Sequence, residues 1–195
     1  MSNELPELSR FLTSWGKTVV REARDNAPRA SGKLANSLKV RLLEDNNNYT
    51  IQFEMLYYGD FQDKGVSGTG GKFKDKSKGG TSKYAGKSFS GIQRYKDEYF
   101  VERISPYEFK SKPPSKAFNK WVIRKGLKGV RNPRTGRFTP RKSLMFAVAH
   151  TIGIKGLKSS SWFSEPLGEN LKTLPVDFAM KFELSLVEMM NKIEK

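Results

Sequence analysis

Few side chains in this sequence could carry covalent chemistry, and those few stand alone. His150 is the only histidine, and there is no cysteine. That excludes a disulfide framework, a thiolate metal site and a cysteine nucleophile. No second histidine and no carboxylate cluster accompanies His150, so a zinc or two-metal centre lacks ligands. A lone histidine in an apolar helical segment reads as a packing or surface residue. Asp60 and Asp63 are the nearest thing to a carboxylate pair, and they read as exposed charges ending a strand. Gly68-Thr69-Gly70-Gly71-Lys72 has the residue types of a phosphate-cradling loop but not the spacing of a P-loop. Nothing signals a nucleophile elbow. No enzymatic activity, cofactor or metal is expected.

The charge is more informative. Residues 1–63 carry 8 Lys/Arg against 9 Asp/Glu, residues 64–142 carry 22 against 5, and residues 143–195 carry 6 against 6. The middle therefore holds an excess of +17, more than the chain's net +16, which points to an anionic partner for that segment. The candidate contacts are Lys72, Lys74, Lys76, Lys78, Lys83 and Lys87, followed by Arg131, Arg134, Arg137 and Arg141. Such residues attract nucleic-acid backbones by counterion release without reading bases. The interleaved Tyr84, Phe89, Tyr95 and Tyr99 could stack on bases. The same charge could equally meet acidic protein or remain solvated. No sequence-specific recognition motif appears.

The elements that position these residues follow from periodicity. Leu5, Leu8, Leu12, Trp15, Val19 and Ala23 share one helical face over 5–25, which Pro28 ends. Ser31 could cap a short turn running from Leu34 to Ser37. Leu38, Val40 and Leu42, then Tyr49, Ile51, Phe53 and Met55, alternate with polar residues. The turn-rich 45–48 between them makes an antiparallel hairpin. Lys64–Lys87 is rich in glycine and lysine and reads as a long flexible loop that orders on a partner. A strand is expected within 91–104. Helices are expected over 115–126, stopped by Gly126, and over 141–152, with Leu144, Ala147, Val148 and Ile152 inward. Two more are expected over 164–173 and 176–194, with a break or kink at Pro175 between them. In the last, Ala179, Phe182, Leu186, Met190 and Ile193 repeat at three and four. No secretory signal and no membrane span is apparent. The fold class is α+β. A small antiparallel sheet packs against an N-terminal and a C-terminal helix within one domain. Its core is 1–65 and 160–195, with a basic loop and helix insertion over 66–159.

Three segments, taken in order, resemble a known family. Ala27-Pro28-Arg29-Ala30-Ser31-Gly32-Lys33-Leu34-Ala35-Asn36-Ser37-Leu38 is similar to the alanine-proline, Thr/Ser-Gly-x-Leu-x-x-Ser signature of the tail-completion, or head–tail joining, proteins of long-tailed bacteriophages. Tyr57-Tyr58-Gly59-Asp60-Phe61-Gln62-Asp63-Lys64-Gly65 resembles the family's aromatic, acidic and glycine segment after the hairpin. Trp162-Phe163-Ser164-Glu165-Pro166-Leu167 resembles the start of its final helix. The shorter members lack the roughly hundred residues that this chain inserts, and the resemblance is silent on the insert. It implies a neck subunit of the virion, made in the host cytoplasm. That subunit would form a ring, commonly a hexamer, between the capsid connector or adaptor and the tail tube or its terminator. DNA would pass through it, with no membrane involved. The alternative is a free-standing, non-sequence-specific nucleic-acid-binding protein.

Overall fold

The spacing of Leu8, Leu12, Trp15, Val19 and Ala23 folds Pro6–Asn26 into helix α1, with all five side chains buried. Leu5 and Ser31 lie outside the described residues. The computed structural model describes residues 6–28, 32–45, 48–75, 77, 83–129, 131 and 134–193, with side chains to 184 and at 187 in the last helix. Among these it is α+β, with six helices and three two-stranded antiparallel sheets. The chain divides into two compact units. The first comprises residues 1–63, 96–103 and 160–195, and the second comprises 64–95 and 104–159.

In the first unit, α2 (Lys33–Ser37) follows the left-handed Gly32, whose φ is 68°. Strands β1 (Lys39–Asp45) and β2 (Asn48–Glu54) then pair as a hairpin, with Val40 opposite Phe53 and Leu42 opposite Ile51. Residues 46 and 47 of its turn lie outside the described residues. Alternation puts Val40, Leu42, Ile51 and Phe53 on one face. Gly16 of α1 packs against that face, where a Cβ would come 2.8 Å from a methyl of Val40. Helix α3 (Tyr58–Lys64) leads back to α6 (Ser164–Ile193). Val20, Ala23, Ala27, Leu34, Leu38 and Trp162 form one buried cluster, with Phe53 and Phe163 edge-on beside it.

Asp63 corrects the reading of an exposed charge. It is buried, accepts hydrogen bonds from the Phe163 and Ser164 amides at 2.8 and 3.1 Å, and bonds the Ser164 hydroxyl. It therefore caps the N-terminus of α6, where free amides and the helix dipole favour a carboxylate. Beside it the Trp162 indole donates to the Gly59 carbonyl at 3.1 Å. Of the break or kink expected at Pro175, the break is absent, and α6 runs through it as one helix. A proline removes one helical hydrogen bond but leaves the flanking bonds to carry the helix on. The tip 97–101 of a second hairpin docks on α6 at Gly168, where a side chain would strike the Glu98 carbonyl. Asp97 organises that tip by accepting from the Tyr99 and Val101 amides and from the Arg103 guanidinium.

The second unit corrects the flexible-loop reading of Lys64–Lys87 for its described residues. Residues 66–70 form an extended segment bonded to Leu157, Tyr107, Phe109 and Gly91 through the backbone. The glycines allow that crossing: a Cβ on Gly68 would lie 2.3 Å from the Ile154 carbonyl, and one on Gly91 would lie 2.4 Å from the Gly68 carbonyl. Strands β3 (Gly71–Lys72) and β4 (Ser88–Phe89) pair, and Phe73 between them is buried. Of the expected strand in 91–104, only β5 (Arg94–Lys96) and β6 (Glu102–Ile104) form. A 3₁₀ turn (Ser115–Phe118) precedes α4 (Asn119–Arg124), and Gly126 follows with a φ of 58°. Helix α5 (Arg141–Lys155) buries Met145, Ala149 and Gly153. Ala147 was expected inward but is exposed, because the buried stripe runs at strict four-residue spacing one residue further round.

Candidate polyanion-binding surface

Charge separates by unit more sharply than along the sequence. The second unit carries 22 Lys/Arg and 2 Asp/Glu, against 14 and 18 in the first. The difference arises because the tip 96–103 takes Asp97, Glu98 and Glu102 into the first unit. Asp75 and Glu108 are the only carboxylates of the second unit, so internal pairing can neutralise little of its charge. Lys72 meets Asp75 at 3.6 Å with both side chains well exposed, a weak pair in water. A surplus held this way repels itself, and a polyanion relieves the repulsion while releasing its counterions.

The candidate cations fall into two groups along α5. Lys72, Lys74, Lys83 and Lys87 are exposed around the β3–β4 hairpin. Phe73 seats that hairpin edge-on against His150 at 5.4 Å between ring centroids. Lys76 and Lys78 lie outside the described residues. Arg131, Arg134 and Arg137 are exposed on a turn leading to α5. The Arg131 side chain closes this turn by donating to the Gly136 carbonyl at 2.9 Å. Arg141 begins α5, whose first turn holds no acid, where the helix dipole adds to the positive potential. His150 lies nine positions along the helix from Arg141, about 13 Å of axial rise. The structure thus brings the cations onto one unit but not into one cluster.

Lys155 and Lys112 were missed by sequence reasoning. Lys155 Nζ lies 4.1 Å from the Tyr84 ring centre and 4.4 Å from that of Phe89. Lys112 Nζ lies 3.7 Å from that of Phe146, which stacks with His150. Neither pairing has a local signal, since the partners are 34 to 71 positions apart. The hydrogen bond to the Lys83 side chain, helped by the Lys155 charge, holds the Tyr84 hydroxyl below its ordinary pKa. Tyr84 and Phe89 are half-buried and packed edge-on against each other. Tyr99 is exposed, on the first unit.

The glycine-rich Gly68–Lys72 segment has a structural use. The Thr69 and Gly70 amides donate to the Gly153 and Ile154 carbonyls at 2.8 and 3.0 Å. The Gln93 side-chain amide donates to the Lys155 carbonyl. These bonds satisfy the last carbonyls of α5, and the Thr69 and Gly70 amides cannot then cradle a phosphate. Among the described residues no group of three or more acidic or histidine side chains could hold a metal. No described helix is long and apolar enough to cross a membrane.

These features define an α+β protein in which a net acidic unit carries a separate, strongly basic one. No family model, curated protein or solved structure matches the chain.

Proposed function

We propose that this chain is a structural subunit of the bacteriophage head–tail neck, a tail-completion or head–tail joining protein. It assembles as a homo-oligomeric ring, with a hexamer favoured, between capsid connector and tail tube. The observation that carries this reading is the interlock of its motif segments. Gly59 and Asp63 of the second motif bond Trp162, Phe163 and Ser164 of the third across 100 positions. Leu34 and Leu38 of the first pack in the same cluster. Segments that resemble one family in order thus build one unit, with the basic residues set apart.

Self-assembly is supported by the end of α6. Val176, Phe178, Met180, Phe182, Leu184 and Val187 are all exposed there. At 3.6 residues per turn they form two opposed stripes, Val176, Met180, Leu184 and Val187 on one and the stacked Phe178 and Phe182 on the other, and a helix apolar on two sides needs partners. In a ring, the second unit would face passing DNA or an acidic neighbour. Native mass spectrometry tests the reading: closed oligomers are expected, and a strict monomer that binds neither connector nor tail protein would count against it.

The second reading, a free-standing nucleic-acid-binding protein, rests on the 22-to-2 charge imbalance of the second unit. It requires binding to mixed-sequence DNA that weakens steeply with salt. Unchanged DNA mobility at low salt would exclude it.

A further inference from the structure

The first unit, although acidic overall, gathers cations in one place. A groove of about 480 Å³ runs between α1 and β1. Lys17, Arg21 and Arg24 line it from the helix, and Lys39 and Arg41 line it from the strand. Two carboxylates oppose these five charges: Asp25, which also lines the groove, and Glu54, which meets Arg41 at 3.3 Å. The helical spacing of 17, 21 and 24 and the strand spacing of 39 and 41 explain the convergence.

The groove follows the open edge of a sheet. β1 pairs only with β2 among the described residues. Lys39, Val40 and Arg41 are consecutive, so their side chains alternate between the two faces of the sheet. A groove lined by all three lies along the strand edge rather than over one face. The backbone confirms the direction, because Arg24 donates to the Leu38 carbonyl at 2.8 Å from the helix side. Backbone polar groups repeat every second residue along a strand, so those of Val40 point the same way. An edge strand with outward amides and carbonyls is a template for another strand.

We propose that this groove docks an extended, acidic segment of a partner protein, which adds to β1 as a third strand. Its backbone bonds Val40. Its alternating side chains meet Lys17 and Arg21 on the helix side, and Lys39 and Arg41 on the other. The recognised chemistry is therefore a run of acidic residues on both faces of one strand. A nucleic acid would use the charges but leave the strand edge unpaired. The inference does not depend on the neck reading, and each can fail alone.

The test uses the full chain and a labelled peptide, acetyl-Thr-Glu-Asp-Val-Glu-Asp-Val-Thr-amide, read by fluorescence anisotropy at about physiological salt. Amide exchange at Val40 is followed in parallel. Saturable binding and slowed Val40 exchange are expected. The Arg21→Glu/Lys39→Glu variant should bind at least tenfold more weakly, with unchanged circular dichroism. The same peptide N-methylated at alternate residues, which keeps the charge but loses one edge of amides, should also bind at least tenfold more weakly. A twelve-residue oligothymidylate should neither displace the peptide nor lose affinity for the variant. No binding at millimolar peptide overturns the proposal. So does equal binding of the methylated peptide, or displacement by the oligonucleotide, which would make the groove a simple charge or phosphate site. If the double variant loses its fold, Lys17→Gln/Lys39→Gln, which adds no like-charge or carboxylate burden, must still weaken the peptide several-fold.

Discussion

Replacing Asp63 by alanine should disconnect the two halves of the first unit. Asp63 is almost fully buried and holds two backbone amides and one hydroxyl at the start of α6. Removing an N-cap side chain costs about 0.5–2 kcal/mol, and hydrogen bonds to a charged acceptor contribute about 1.5–3 kcal/mol each. These overlap, because both count the same bonds. Burial adds the cost of leaving the Phe163 and Ser164 amides without an acceptor, so a loss of about 3 kcal/mol is expected. Asp63→Asn keeps an oxygen for the two amides but loses the charge that suits a helix N-terminus, and should cost about 1–2 kcal/mol. Ser164→Ala removes one bond and should cost about 1 kcal/mol. The double variant should fall short of additivity, since the two side chains bond each other. Urea unfolding followed by tryptophan fluorescence, in a Trp121→Phe background, reads the first unit through Trp15 and Trp162. A loss below about 0.5 kcal/mol for Asp63→Ala, no larger than for the exposed Glu169→Ala, would refute the capping role.

Three further outcomes follow from the same structure. Gly68→Ala places a methyl within 2.3 Å of the Ile154 carbonyl, and should destabilise the second unit by about 3 kcal/mol, read by Trp121 fluorescence; an unchanged midpoint contradicts the backbone crossing. The hydrogen bond from Arg103, aided by two backbone amides, holds the Asp97 carboxyl below its ordinary value of 3.8. The stability it adds is full above the unfolded-state pKa and is lost as pH falls through the lowered one. The gap between wild type and Asp97→Asn in urea unfolding should therefore be constant near neutrality and close below about pH 4; a pH-independent gap contradicts this. Replacing Lys72, Lys74, Lys76 and Lys78 with serine should leave the circular dichroism unchanged. It should also reduce the salt slope of DNA binding by about 0.9 for each phosphate no longer neutralised, and an unchanged slope removes this segment from the interface.

The elements with strong periodicity are readable without the structure. α1 and the β1–β2 hairpin follow their apolar spacing almost residue for residue, because local pattern and core face agree there. Lys64–Lys87 misleads because its composition matches that of an unstructured linker. Its glycines instead allow the close crossing at Gly68 and Gly91, and one buried aromatic, Phe73, anchors the hairpin. Asp63 looks exposed in sequence because its partners lie a hundred positions away. Pro175 looks like a break because sequence cannot say that the flanking turns of α6 persist. The basic character of the candidate surface is legible as a count. Its confinement to one unit is not, because that depends on a hairpin tip carrying three acids to the other unit. The groove at β1 is likewise hidden, since its cations come from a helix face and a strand edge that only tertiary packing brings together.

The neck proposal is tested most directly by adding purified protein to bacteriophage tail tubes and connectors and imaging the mixture by electron cryo-microscopy. A closed ring of this chain seated at the tube end, joining it to the connector, is expected. Single copies scattered in solution, with bare tube ends and unjoined heads, would contradict it.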